Sequence, residues 1–243
     1  MGSTRRDRAR LGIAGVIEGA LPDCHARRPI TVSVKIEGNP FSVTLADYSD
    51  FIVLRNLGQR EFAIALPAPP GVIVDCGAHI GLSSLFFHAL YPGASIYAVE
   101  PNPVTYRTLV LNTSGLGIFT CEAAVADADG SQELFGGPHS WDSSLTAGVG
   151  GARYTVQTFT LSSLLTDLGV EDVDLLKLDV EGAEFGLLRA AGPALAKVRA
   201  IAAELHFDLA DSDEAEVRSL LSGFHVSFEP QRPGRAIMHA VRH

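Results

Sequence analysis

Apolar and polar positions alternate along residues 69–243 in a rhythm that predicts a parallel α/β sheet. Short apolar runs rich in Val, Ile and Leu are each followed by a segment with helical periodicity. Strands that alternate with helices form right-handed βαβ units, so we predict a doubly wound, mostly parallel sheet. The predicted strands are 72–75, 95–99, 118–125, 154–159, 173–179 and 200–206, and the predicted helices are 80–90, 104–112, 161–168, 183–190 and 213–221.

The end of the chain departs from this rhythm, because two strand-like segments follow each other without a helix. Residues 225–229 and 236–241 are joined by a short Pro- and Gly-containing link that cannot hold a crossover helix. The two strands must therefore be antiparallel to each other. A parallel sheet that ends in an antiparallel hairpin is typical of the Rossmann-like fold of methyltransferases that use S-adenosylmethionine (SAM), and simple nicotinamide-binding folds lack it.

Residues 1–68 lie outside the alternation, and we expect them to form an elaboration on a catalytic domain of residues 69–243. The pattern predicts a helix at 5–20, a β-hairpin at 30–45 and a second helix at 47–57. A Pro-rich joint at 67–71 marks the boundary between the two parts. We expect the N-terminal part to contribute to the acceptor pocket or to contacts in a homodimer.

Composition restricts the class of protein further. The formal net charge is −9 and basic residues form no stripe, which argues against duplex nucleic acid as a partner. Cys24, Cys76 and Cys121 are scattered, which indicates reduced thiols in a cytoplasmic protein. No apolar run approaches the roughly 20 residues of a membrane span. Arg5 and Arg6 before a short apolar run leave a twin-arginine export signal as an alternative. We expect a small-molecule acceptor, with no nucleic acid and no membrane as partner.

The first candidate binding motif follows the first strand of the predicted sheet. Residues 75–81 read Asp-Cys-Gly-Ala-His-Ile-Gly, at the strand-to-helix turn where an open α/β sheet binds its nucleotide. We interpret Gly77 as allowing close approach of a ligand and Gly81 as allowing the helix to pack against the sheet. The motif is not the Gly-x-Gly-x-x-Gly fingerprint that cradles a pyrophosphate, and Asp75 suits the cationic amino group of SAM. The expected cofactor contacts are Asp75, Gly77, Ala78, His79 and Gly81.

A second motif, Glu100-Pro101-Asn102, ends the next strand and, together with Asp179 further along the chain, completes the predicted cofactor site. A carboxylate at this place accepts hydrogen bonds from both ribose hydroxyls of an adenosine, in NAD sites as well as in SAM sites. Glu100 alone does not separate the two cofactors, but the two motifs in this order favour SAM. The alternatives are a nicotinamide-dependent oxidoreductase and a SAM-binding protein without catalysis.

Candidate catalytic residues end two further strands of the predicted sheet. Asp179 ends the strand at 173–179, and Lys177 alternates with it as a candidate ion-pair partner. Glu204 and His206 end the strand at 200–206. Because a sugar hydroxyl is a weak nucleophile, we expect Asp179, Glu204 or His206 to act as base or as metal ligand. A divalent metal such as Mg²⁺ fits this carboxylate-rich edge, but no ligand spacing demands one.

Together these motifs resemble the FkbM family of methyltransferases. The resemblance covers roughly residues 50–206, and its most specific part is the run Lys-Leu-Asp-Val-Glu-Gly-Ala-Glu at 177–184. In that run Glu181 and Glu184 share one face of a helical turn, where they either complement the helix dipole or belong to the site. The resemblance implies an O-methyltransferase that acts on sugar or polyketide hydroxyls in natural-product pathways. His79 departs from the family pattern, which more often has Asn or another small polar residue there.

The glycine-flanked segment 136–151 contains the single tryptophan, Trp141. A loop of this length inside a compact domain is usually functional. We expect it to be a lid that excludes water from the sulfonium, with Trp141 or Tyr154 stacking on the acceptor or the adenine. The alternative is a disordered excursion anchored by one aromatic side chain.

Overall fold

The computed structural model describes residues 29–46, 50, 53–54, 61–137, 143–145 and 152–243. The predicted helices at 5–20 and 47–57, and Trp141, lie wholly or mostly outside these ranges. In the described part the strands are β1 (Ile30–Ile36), β2 (Asn39–Leu45), β3 (Val72–Cys76), β4 (Ser95–Val99), β5 (Phe119–Cys121), β6 (Ala124–Val125), β7 (Gly130–Phe135), β8 (Arg153–Phe159), β9 (Leu175–Leu178), β10 (Ala200–His206), β11 (Phe224–Arg232) and β12 (Arg235–Arg242). The helices are α1 (Leu82–Leu90), α2 (Pro103–Thr113), α3 (Leu161–Asp167), α4 (Glu184–Ala191) and α5 (Glu214–Leu220), and a 3₁₀ turn, Gly192–Lys197, follows α4.

A seven-stranded sheet in the order β11-β12-β10-β9-β3-β4-β5 forms the centre of the fold. Strands β3, β4, β5, β9 and β10 pair in parallel, whereas β12 is antiparallel to both of its neighbours. This confirms the predicted doubly wound sheet with an antiparallel C-terminal hairpin. The strand order reverses between β3 and β9, and ligands of open α/β sheets bind at such a reversal, beyond the carboxyl ends of the strands.

The predicted strand at 118–125 is wrong in one respect, because the chain changes sheets within it. Strand β5 ends at Cys121, and β6 instead joins a three-stranded sheet in the order β6-β8-β7. Strand β7 was not predicted, since Leu134 is the one residue of this strand that is fully buried, in a small cluster with Ala124 and Val156. The other predicted elements that the structure describes are confirmed to within a few residues. This second sheet stands beside the carboxyl ends of β3 and β4.

Apolar clusters cover both faces of the central sheet. Helices α3, α4 and α5 pack on one face, in a cluster that includes Leu176, Phe185 and Met238. On the other face, the β1–β2 hairpin packs with α1 through Val32, Val43 and other apolar residues. Of the helices in the described ranges, none combines the length and apolar character that crossing a bilayer requires.

The side-chain amide of Asn112, at the end of α2, connects the hairpin to the β3–α1 turn. Its Oδ1 accepts a hydrogen bond from Thr44 N at 2.7 Å, and its Nδ2 donates to Thr44 O at 3.0 Å and Ile80 O at 2.8 Å. Each of these groups is a strong hydrogen-bonding group that is costly to leave unpaired when buried. The hairpin is therefore attached to the turn that precedes α1 by polar as well as apolar contacts.

Candidate active site

The turn between β3 and α1 depends on two glycines with left-handed backbone. Gly77 has φ 77°, and a Cβ built on it would lie 1.8 Å from the carbonyl oxygen of Asp179. Gly81 has φ 91°, and its Cβ would lie 2.8 Å from Leu109 Cδ1 on α2. From the sequence, Gly77 was expected to allow close approach of a ligand and Gly81 to allow packing on the sheet. The structure adds that Gly77, which also lines the cleft described below, makes room for the end of β9, and it shows that Gly81 makes room for α2.

Asp75 is placed differently from the direct cofactor contact that the sequence suggested. Its carboxylate is fully buried, and Oδ2 accepts hydrogen bonds from the Ser83 and Ser84 hydroxyls at 2.7 and 2.6 Å. Its Oδ1 lies 3.2 Å from Lys177 Nζ. A carboxylate that is already paired in this way cannot take up the amino group of a ligand in the cleft. Asp75 instead binds the start of α1 through Ser83 and Ser84, and it forms an ion pair with the buried Lys177.

Lys177 is the buried cation that connects the 75–81 motif with the 177–184 motif. Its Nζ donates to Gly77 O at 2.7 Å and lies 3.7 Å from Asp179 Oδ2, which confirms the predicted ion pair. Burial opposes the charge of the amine, but Asp75 and Asp179 outweigh it and raise the pKa of Lys177. Lys177 therefore carries its charge at neutral pH and fixes the orientation of Asp179.

Glu100 occupies the place predicted for a ribose-binding carboxylate, at the end of β4. Its two oxygens accept hydrogen bonds from the backbone N–H groups of His79 and Asn102, both at 2.9 Å. Burial raises the pKa of Glu100 to about 7, although those two N–H groups act to lower it. A carboxylate has about four acceptor positions, so two remain for the hydroxyls of a ligand.

Of the other residues in the predicted cofactor set, Asn102 and Ala78 support the site, whereas His79 faces it. Asn102 caps α2, since its Oδ1 accepts from Val104 N at 2.9 Å, and its Nδ2 donates to Ser143 Oγ at 2.9 Å. Ala78 is buried in a small cluster with Leu109, so its side chain is corrected from a cofactor contact to a packing contact. The side chain of His79 reaches the cleft, and its Nε2 lies 3.5 Å from Asp50 Oδ1.

A cleft with about 600 Å³ of empty space, part of it open to solvent, lies beyond the ends of β3, β4 and β9. Of the predicted residues, Gly77, His79, Glu100, Pro101, Asp179 and Glu181 line it. The apolar wall of the cleft, formed by Val125 of β6, Leu134 of β7 and Leu145, was not predicted. A hydrophobic residue within a strand gives no sequence signal that distinguishes a cleft wall from a core position.

His206 ends β10 next to the cleft but is fully buried. Its Nδ1 lies 3.0 Å from Glu184 Oε1, and its Nε2 lies 3.2 Å from Glu181 Oε2. Glu184 is itself fixed, because its carboxylate also accepts hydrogen bonds from the backbone N–H groups of Val180 and Gly182. Glu184 is thus a buried positioning residue, whereas Glu181 lies at the edge of the cleft.

His206 was a predicted candidate for the general base, and the charges around it contradict that role. Burial alone lowers the pKa of an imidazole, but Glu181 and Glu184 outweigh it and raise the pKa of His206 to about 11. The imidazole is therefore protonated at neutral pH and cannot accept a proton from an acceptor. Burial and the charge of Asp179 raise the pKa of Glu204 to about 7.

Arg235, at the start of β12, is a functional neighbour that the sequence did not indicate. Its Nη1 lies 3.6 Å from Glu181 Oε2 and 3.7 Å from Glu204 Oε1. It is the first residue of a strand whose pattern is that of an ordinary hairpin, so its place beside β10 becomes evident only from the antiparallel register. Arg235 offsets part of the negative charge at this edge.

The strand order, the cleft at its reversal point and the carboxylate at the end of β4 define the class of SAM-dependent methyltransferases. The model of the methyltransferase FkbM domain matches residues 75–229, and the chain belongs to this family. The predicted SAM cofactor and the resemblance to the FkbM family are thereby confirmed.

Three similar proteins illustrate the match. Methyltransferase sdnD of Sordaria araneosa is 35% identical over 159 residues, which are 51% of this chain and 61% of that protein. The chain thus spans less than two thirds of the length of that relative. The 31-O-demethyl-FK506 methyltransferase FkbM of Streptomyces tacrolimicus is 29% identical over 192 residues, 64% of this chain and 72% of that protein. The structure of Aeropyrum pernix fibrillarin with bound SAM aligns with a TM-score of 0.49 at 15% identity, over 87% of this chain and 82% of that one.

Because the pKa of Glu100 is raised to about 7, we expect binding of the adenosine part of the cofactor to depend on pH. Only the ionised carboxylate can accept hydrogen bonds from both ribose hydroxyls, so affinity for S-adenosylhomocysteine should rise about tenfold from about pH 6 to pH 8. Calorimetric titrations across this range measure the effect. Glu100→Gln should bind more weakly and lose that part of the pH dependence. An unchanged slope in Glu100→Gln would assign the titration to another group.

Proposed function

We propose that the protein transfers a methyl group from SAM to a hydroxyl group of a small molecule, a sugar or polyketide intermediate. The observation that carries the proposal is that the carboxylates of Glu100, Asp179 and Glu181 line one cleft. The Streptomyces tacrolimicus relative is named as a methyltransferase for 31-O-demethyl-FK506, which supports an oxygen as the acceptor atom.

The residues of the cleft fit the cofactor. The free acceptor positions of Glu100 suit two ribose hydroxyls, and the apolar wall of Val125, Leu134 and Leu145 suits the flat face of an adenine. When bound, SAM supplies a methyl group that is activated by the positive sulfonium. The protein must then align the acceptor oxygen with that group and exclude water.

Asp179 is the residue that we propose to face the acceptor hydroxyl. Its carboxylate lines the cleft with 26% of the side chain exposed, and Lys177 Nζ holds its Oδ2 at 3.7 Å. A carboxylate held in this way can accept the hydrogen bond of a hydroxyl and take up its proton as the oxygen attacks. Glu204 provides a second carboxylate near this position, and its Oε1 lies 3.7 Å from Arg235 Nη1.

Two neighbouring segments complete the proposed pocket. Ser144 Oγ donates to Glu181 O at 2.6 Å, so the described part of the 136–151 segment lies over the catalytic edge, as a lid would. From the N-terminal part, Phe62 places its ring 5.0 Å from Lys177 Nζ, and Asp50 contacts His79. These contacts support the proposal that residues 1–68 help to form the acceptor pocket, while their expected role in a homodimer stays a prediction.

The proposal is tested by incubating the protein with methyl-labelled SAM and a panel of sugar and polyketide alcohols. We expect label in one hydroxyl-bearing acceptor, with one S-adenosylhomocysteine formed per methyl group transferred. The matched control is the same acceptor without that hydroxyl, which should remain unlabelled. Tight binding of NAD in place of SAM would favour an oxidoreductase, and SAM binding without transfer to any acceptor would favour a non-catalytic protein.

A further inference from the structure

Three side chains from two neighbouring strand ends converge beside the cleft. One ligand atom each of Asp179, Glu181 and His206 lies within 4.8 Å of the others. The closest pair, His206 Nε2 and Glu181 Oε2, is 3.2 Å apart. Two adjacent ligands of one ion, each about 2.1 Å from it at right angles, would be about 3.0 Å apart. The pair is thus already close to the spacing that a shared cation would impose.

The state of His206 gives an independent indication, since acidic groups often cluster without binding an ion. Its side chain is fully buried, and among the described residues its Nε2 has an ion-pair contact with Glu181 Oε2 at 3.2 Å but no hydrogen bond of standard geometry. Its Nδ1 is held by Glu184 at 3.0 Å, and Glu184 is locked by backbone N–H groups. A histidine with one nitrogen held by a carboxylate and the other directed at ligand atoms is the usual arrangement at metal sites.

The charge balance at this place also calls for a cation. Four carboxylates, those of Asp179, Glu181, Glu184 and Glu204, lie around His206. The protonated His206 and two further described cations, Lys177 and Arg235, face them. Lys177 is shared with Asp75, and Arg235 lies 3.6 Å from Glu181 and 3.7 Å from Glu204. Negative charge that is buried without full compensation is costly, and a divalent ion would remove that cost.

We propose that Asp179, Glu181 and His206 Nε2 bind one divalent transition-metal ion, of which Mn²⁺ is the representative. An imidazole with two carboxylates suits Mn²⁺ or Zn²⁺ better than Mg²⁺ or Ca²⁺, which prefer oxygen ligands throughout. On binding, the proton on the imidazole leaves to water and the ion takes over its charge. Glu184 acts as the positioning residue that keeps Nε2 directed at the ion.

The cleft side of this site remains open for a further ligand. Asp179 and Glu181 both line the cleft, so an ion held by them would face the space proposed for the acceptor. An alcohol oxygen bound to the ion would be fixed in position, and its proton would become more acidic. This role rests on the proposed methyl transfer, whereas the binding of the ion does not.

The experiment uses the full chain after treatment with a chelator, titrated with Mn²⁺ alone and followed by electron paramagnetic resonance. We expect one tightly bound Mn²⁺ per chain, with a nitrogen hyperfine coupling from the imidazole of His206. Glu181→Gln keeps the shape of the side chain and should weaken Mn²⁺ binding tenfold or more. The matched control Glu214→Gln, on α5 and half exposed, should bind as the wild type does.

Three results would overturn the site: no stoichiometric Mn²⁺, no nitrogen coupling in the wild-type protein, or equal affinity in the wild type and Glu181→Gln. The nitrogen coupling is measured without any substitution, so a variant that folds poorly does not decide the outcome. Methyl transfer is assayed separately. Bound Mn²⁺ without transfer to any acceptor would leave the site standing and reject the proposed function. Transfer at an equal rate with and without chelator, together with no Mn²⁺ binding, would reject the metal site and leave the proposed function standing.

Discussion

Replacement of Gly77 with alanine is expected to lower the free energy of unfolding by about 3 kcal/mol or more and to abolish cofactor binding. The added Cβ would lie 1.8 Å from the carbonyl oxygen of Asp179 and 2.8 Å from its carbonyl carbon. Both are backbone atoms at the end of a buried strand, so neither can move cheaply. The left-handed φ of 77° adds its own cost for any residue with a side chain. Urea unfolding and titration with S-adenosylhomocysteine measure the two effects.

Gly115 provides the matched control for Gly77. It has the same φ of 77°, but a Cβ there would meet no atom within 4 Å. Gly115→Ala should therefore show only the backbone cost, about 1 kcal/mol, and should bind the cofactor normally. Equal losses of stability in the two variants would mean that the contact with Asp179 is not what requires glycine at position 77.

Substitution of Asp179 with asparagine is expected to reduce turnover by about 10²–10⁴-fold, with a much smaller change in SAM affinity. Asparagine has the shape of the native side chain, and Lys177 keeps its contact with Asp75, so the fold should persist. What is lost is the negative oxygen that accepts the hydroxyl proton. Single-turnover rates at saturating SAM isolate this step from binding.

Asp208→Asn is the control for the Asp179 experiment. Asp208 is a more exposed carboxylate, 3.5 Å from Arg235 Nε, and its substitution changes the charge close to the same edge. A general electrostatic effect would lower the rate in both variants. We expect a large effect in Asp179→Asn alone. Wild-type turnover in Asp179→Asn would remove this residue from the proposed chemistry.

Much of the fold could be predicted because the central strands are buried on both faces. Such strands produce continuous apolar runs, and the short link before β12 leaves no room for a helix. Strand β7 escaped prediction because it lies at the edge of a small sheet and buries little more than Leu134. The end of β5 was misplaced for a related reason, since an apolar run does not reveal that the chain passes from one sheet to another.

The candidate site was predicted by position but only partly by role. Strand ends and motif spacing placed Glu100, Asp179 and His206 at one edge, and the structure brings all three there. The charge on His206, however, is set by Glu184, and the availability of Asp75 is set by Lys177. A carboxylate or an imidazole at a strand end looks the same in sequence whether it faces a ligand or is paired in the core.

The amide of Asn112 has a consequence for how the two parts of the chain can diverge in evolution. Its single acceptor and both of its donor hydrogens are engaged, on Thr44 of the hairpin and on Ile80 of the β3–α1 turn. Aspartate would lack the two donor hydrogens, and glutamine would be one methylene group too long. Either substitution would leave a backbone N–H or C=O group without its hydrogen-bond partner. The hairpin and the turn therefore cannot be exchanged independently between relatives. A chimera that takes the hairpin from a relative must also take that relative's β3–α1 turn and its residue at position 112.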